Sequence, residues 1–164
     1  MKNIIYILIT LSINACGIYS FTGASIDNNT KTVSVKYFNN KASTIQPILS
    51  QLFTEKIKDI FIKETNLNLT NENGDLSFSG YIENYNINPI SITSNETAAK
   101  NRLTISVYVE FTSTNNPENN FENKFTRYKD FDSGEDISEI EELLIDQICT
   151  ELVEDIFNKA VVNW

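Results

Sequence analysis

The side chains able to do chemistry in this chain are few. There are two cysteines, Cys16 and Cys149, and no histidine. Without histidine the chain lacks the commonest general base and the commonest metal ligand, and neither a Ser–His nor a Cys–His nucleophile pair can be built. Five glycines are scattered, and none makes a phosphate-cradling loop. Carboxylates are plentiful, yet nothing in their placement suggests the paired acids of a glycosidase. The reading is therefore of a protein that is not an enzyme, with no catalytic residues, no metal site and no cofactor. What remains is chemistry of attachment and contact. Lys100 and Arg102, with Arg127 and Lys129 further on, are cations suited to phosphate or carboxylate. Tyr81, Tyr85 and Tyr108 join an apolar body to a polar tip, which suits a surface that is wet in one state and covered in another.

Cys16 ends an unusual stretch. Met1-Lys2-Asn3 carries one positive charge, and Ile4 to Ile13 is almost wholly apolar. A membrane-spanning helix needs about 20 such residues, so the run has the length of a secretory signal core instead. Ile13-Asn14-Ala15-Cys16 resembles the lipobox of bacterial lipoproteins, although Asn14 is an unusual occupant of its position. In such proteins the signal is cleaved and the cysteine is acylated. One acyl chain holds only marginally, while several hold firmly. The expected organisation is a signal over 1–15, a lipidated tether over 16–31 and one domain over 32–164. The competing reading is a cleaved soluble signal with an incidental cysteine. If Cys16 carries lipid, Cys149 has no partner for a disulfide and is expected as a small buried hydrophobe.

The full chain has 13 basic and 22 acidic side chains, a net charge of -9. Lys2 is the only charge in 1–15, so removing that segment leaves 12 basic against 22 acidic. Such a surface does not suit nucleic acid or general adhesion to anionic lipid. Contact with an anion must be local.

The elements that position these residues follow from periodicity. Thr32 to Phe38 alternates as a strand with one buried face. Ile45 to Ile62 changes to helical spacing, with Pro47 suited to its first turn. Leu76 to Tyr85 alternates again, with Tyr81, Glu83 and Tyr85 expected on its polar side. Asn86 to Thr97 reads as a long loop, Leu103 to Thr112 as the cleanest strand, and Phe121 to Phe131 as a fourth. Asp136-Ile137-Ser138-Glu139 has the spacing of a capping box and opens a long helix whose apolar stripe includes Cys149. The expected fold is α+β: two helices packed on one face of a four-stranded mixed sheet, in the order β-α-β-β-β-α. The first two strands are expected parallel and the last three antiparallel. The uncovered face would then carry Tyr81, Tyr85 and Tyr108, against the plain reading of a solvated face. The four cations would meet at one end of the sheet, against the plain reading of charge balance with Glu83, Glu96 and Asp130.

In that order and spacing the segments resemble the LptE family of outer-membrane lipopolysaccharide-assembly lipoproteins. The likeness rests on Cys16-Gly17-Ile18-Tyr19-Ser20-Phe21 with Gly23, Tyr37-Phe38-Asn39-Asn40, Leu49-Ser50-Gln51, GDLSFSGYI from Gly74, AAKNRLTISVYVEF from Ala98 and the terminal IFNKAVVNW. It spans nearly the whole mature chain. The resemblance implies a non-enzymatic lipoprotein at the inner leaflet of the outer membrane, plugging and helping to assemble a large β-barrel partner, LptD, and contacting lipopolysaccharide. For lipopolysaccharide contact only Arg102 falls in a family motif; Lys100, Arg127 and Lys129 extend the site by position. The alternative is a stand-alone, periplasm-facing lipoprotein that binds a small ligand or serves as a scaffold.

Overall fold

A computed structural model of the protein describes residues 26–90 and 99–161. The proposed signal and Cys16 lie outside them. Among the described residues, six strands and two α-helices follow one another: β1 (Thr32–Val35), β2 (Asn39–Asn40), α1 (Pro47–Glu64), β3 (Asn68–Thr70), β4 (Leu76–Ile90), β5 (Lys100–Ser113), β6 (Phe121–Asp132) and α2 (Ile137–Val161). They form one open sheet in the order β3-β1-β4-β5-β6, with β2 also paired to β4. The expectation of four strands is therefore corrected to six.

The two extra strands are too short to show a period. The segment read as one strand, Thr32 to Phe38, breaks after Val35. Phe38 turns into the core, and Asn39-Asn40 rejoins the sheet beside Tyr81 and Ile82. Gly80 permits this turn. A Cβ there would stand 2.0 Å from the main-chain oxygen of Tyr108 and 2.7 Å from Cε1 of Phe38. β3 is three residues that pair parallel to β1 at the sheet edge. The expected directions hold: β1 runs parallel to β4, and β4, β5 and β6 form an antiparallel meander. Of the expected loop over Asn86 to Thr97, the part up to Ile90 is strand instead, because β4 continues to Ile90, opposite Lys100; the rest falls outside the described residues. Pro89 is tolerated there because β2 no longer covers that edge of β4.

Both helices lie on one face. An aromatic chain joins the layers: Phe38 meets Phe53 of α1 edge-on at 5.0 Å, and Phe61 of α1 lies 4.8 Å from Phe78 of β4 and 5.1 Å from Phe157 of α2. The helices run the same way. Gln46, just before α1, donates to Glu141 at 2.7 Å; further along, Lys56 meets Asp146 at 2.8 Å and Phe61 meets Phe157. Pro47 occupies the start of α1, where a missing N–H costs nothing. At the head of α2, Asp136 Oδ1 accepts both the N–H and the hydroxyl of Ser138, which holds the carboxyl below its usual range. Cys149 is fully buried in the stripe of α2, and burial pushes its thiol up to about 12.

Candidate functional site

The pleat of β5 and β6 decides where the four cations go. Leu103, Ile105, Val107, Val109 and Phe111 turn toward the helices and are buried. Successive side chains alternate between faces, so Arg102 lies on the open face and its neighbours across the ladder follow. Arg102 pairs with Asp130 in register; its Nε and Nη2 donate to the two carboxylate oxygens at 2.7 and 2.9 Å. Its guanidinium also stands 3.7 Å from the centre of the Tyr128 ring. The bidentate pair lowers the pKa of Asp130, and Lys100, on the same face, adds a smaller pull.

Arg127 and Lys129 lie on the other face, opposite Ile105 and Leu103. They reach α2. Arg127 donates twice to Asp155, both at 2.6 Å, and Lys129 donates to Glu151 at 2.5 Å. The structure thus brings all four cations to one end of the sheet and separates them into two pairs on opposite faces. Sequence reasoning did not find their partners on α2. The signal was present: Glu151 and Asp155 are four residues apart on one helical face, and Arg127 and Lys129 are two apart on one strand face. Joining the two patterns required knowing that α2 lies along β6.

The tyrosines divide as well. Tyr81 and Tyr108 are partners in register on the open face, stacked at 5.2 Å. Lys41 caps the Tyr81 ring at 4.1 Å, and Tyr108 donates its hydroxyl to Glu122 at 2.5 Å, the main cause of its pKa rising to about 12. Tyr85 does not join them. The β4–β5 register slips by one residue between Ile82 and Asn84, and Glu83 is the extra residue. A single-residue bulge moves every later side chain to the opposite face. Tyr85 therefore enters the core, only 3% exposed, and donates its hydroxyl to Glu141 at 2.5 Å. Burial is the leading cause of the rise in its pKa, with the Glu141 hydrogen bond second. On the open face the bulged Glu83 forms an ion pair with Lys124.

The open face is thus a polar sheet of paired groups around a tyrosine stack, suited to contact over an area. Among the described residues, no group of three or more His, Cys, Asp or Glu side chains could hold a metal. No helix among them is long and apolar enough to cross a membrane.

Residues 30–160 match the family model LptE, lipopolysaccharide-assembly. The chain belongs to the LptE family. No curated protein matches it. Among solved structures it is similar to a minor lipoprotein from Acinetobacter baumannii, at 13% identity over 79% of this chain and 91% of that one, with a TM-score of 0.53. It is likewise similar to the hypothetical protein CT253 from Chlamydia trachomatis, at 10% identity over 82% and 99% of the two chains, with a TM-score of 0.53. Rare lipoprotein B from Shewanella oneidensis aligns at 11% identity over 78% and 92%, with a TM-score of 0.50. At such identities these likenesses speak to the fold of an LptE-family chain.

Proposed function

We propose that this LptE-family protein is an outer-membrane lipoprotein, anchored through Cys16 after loss of residues 1–15 and facing the periplasm and a barrel lumen. There it plugs and helps assemble an LptD-type β-barrel and assists lipopolysaccharide transport to the cell surface. It has no catalytic role in this reading. The observation that carries it is the family match across residues 30–160. Tyr81 and Tyr108 support a docking role, because their stack stands on the one sheet face that the helices leave open.

Lipopolysaccharide contact is assigned to two cation pairs at one end of the sheet, Lys100 with Arg102 on its open face and Arg127 with Lys129 against α2. Three of the four cations are held by Asp130, Asp155 and Glu151, so a phosphate must displace a carboxylate, and arginine is the residue that can meet either bidentately. The test has two arms. Purification from membranes in detergent, with mass spectrometry, should recover a barrel of much greater mass with the wild-type chain, and Cys16→Ala should release the chain from membranes. Recovery of the lipidated protein alone would refute the plug role and favour a stand-alone lipoprotein. In the second arm, Arg102→Gln with Lys129→Gln should weaken binding of purified lipopolysaccharide by at least about tenfold, with a steep loss in salt. Undiminished binding would remove the basic site and leave the plug role standing.

A further inference from the structure

The carboxylates that hold the basic residues at this end of the sheet are not equivalent. Asp155 and Glu151 belong to α2 and hold Arg127 and Lys129 of β6, so both pairs also fasten the helix to the sheet. Asp130 belongs to β6 and holds Arg102 of the neighbouring β5. Those two strands are already joined by a ladder that runs from Lys100 opposite Asp132 to Phe111 opposite Phe121. Opening the Arg102–Asp130 pair therefore separates no two elements.

Arg102 has the surroundings of an anion site with an anion already in it. Asp130 meets the Nε–Nη2 edge of the guanidinium with both oxygens, at 2.7 and 2.9 Å, and this is the fork that a phosphate would use. Tyr128 stands against the guanidinium, its ring centre 3.7 Å away, and steadies it by a cation–π contact. The Arg102 and Asp130 side chains are 37% and 33% exposed, so a ligand can reach both. An ion pair so exposed favours its closed form by only about fivefold. Lys100 adds to the pull that Arg102 exerts on the Asp130 carboxyl, yet it lies within ion-pair distance of no acid among the described residues.

We infer, taking the lipopolysaccharide contact proposed above as given, that Asp130 is a built-in competitor for the anion position of Arg102, and that Tyr128 is the positioning residue that keeps the guanidinium there when Asp130 leaves. The incoming group is a phosphate. It takes the Arg102 fork, and the freed Asp130 carboxylate turns toward Lys100, so no charge is left alone. A competitor carried on the same chain is present at every ligand concentration. It lowers the affinity of any anion in proportion to the fraction of time that the fork stands open. Sparse free anions then leave the site closed, and a surface dense in phosphate opens it.

The test is binding of purified lipopolysaccharide to the full chain held in phosphatidylcholine discs, with empty discs as blank. Asp130→Asn should tighten binding by about fivefold. Asp132→Asn removes the same charge two residues along the strand, leaves the pair in place, and should change affinity by less than about twofold. Tyr128→Leu should weaken binding by about threefold, while Tyr128→Phe keeps the ring and should bind as wild type. Both effects act through the guanidinium. In an Arg102→Gln background neither Asp130→Asn nor Tyr128→Leu should therefore alter affinity by more than about twofold. Wild-type or weaker binding by Asp130→Asn overturns the competitor, and so does an equal gain from Asp132→Asn or a gain that survives in the Arg102→Gln background. Wild-type binding by Tyr128→Leu overturns the positioning role. If Arg102→Gln weakens binding and Asp130→Asn does not strengthen it, the lipopolysaccharide contact stands and the competitor alone falls. If Arg102→Gln binds as wild type, the contact fails at this site and the competitor falls with it.

Discussion

Tyr85→Phe isolates the consequence of a single inserted residue. The phenylalanine ring keeps the buried position, so the perturbation is one hydroxyl and the 2.5 Å hydrogen bond it donates to Glu141. A hydrogen bond to a charged group contributes about 1.5–3 kcal/mol. Glu141 keeps its bond from Gln46 at 2.7 Å and is half-buried, so water can replace the lost donor in part. The expected loss is therefore near the lower end, about 1.5–2 kcal/mol. Urea unfolding of the full chain, followed by far-ultraviolet circular dichroism, should show a midpoint lower by about 1 M. A cycle with Glu141→Ala should reveal coupling of about 1 kcal/mol. The alkaline limb gives a second reading. The folded-state pKa of Tyr85 is raised from 10.0, so the protonated form is favoured in the folded protein. That contribution is whole below pH 10 and is lost as pH rises through the folded value. The Phe variant should lack this part of the alkaline loss. A midpoint within about 0.2 M of wild type at neutral pH, with the alkaline limb unchanged, would refute the inward placement of Tyr85 and with it the bulge at Glu83.

Gly80→Ala should destabilise the protein by at least about 3 kcal/mol, since its Cβ would strike the main-chain oxygen of Tyr108, which cannot swing away; a wild-type melting temperature would refute the close approach of Phe38 and β5. Cys149 should react with a thiol reagent only as fast as the protein unfolds, because burial raises its pKa to about 12. Stoichiometric labelling of the native protein within minutes would contradict its place in the core.

Much of the architecture was legible in the chain because it depends on local periodicity. Leu103 to Phe111 alternates so regularly that the sequence alone marks β5, and the helical spacing from Ile140 to Val161 puts Cys149 on the buried stripe of its helix. Pro47 and Asp136 marked the helix starts through backbone chemistry confined to a single turn. The parallel and antiparallel senses followed from which strands are joined by a helix and which by a turn. The family resemblance, read from those same segments, agrees with the match over residues 30–160. Other features depend on partners distant in sequence. Strands of two and three residues have no period to detect, so β2 and β3 exist only because β4 and β1 offer edges for them. The bulge at Glu83 leaves the alternation of β4 in sequence untouched while reversing its meaning, which is why Tyr85 was expected outside and lies inside. The cations were drawn to one end of the sheet by the meander, but the pleat set them on opposite faces, and α2 supplied Glu151 and Asp155 to hold two of them. Local periodicity decides which side chains alternate; pairing register, and helix residues more than 20 positions further along the chain, decide which face and which partner each one meets.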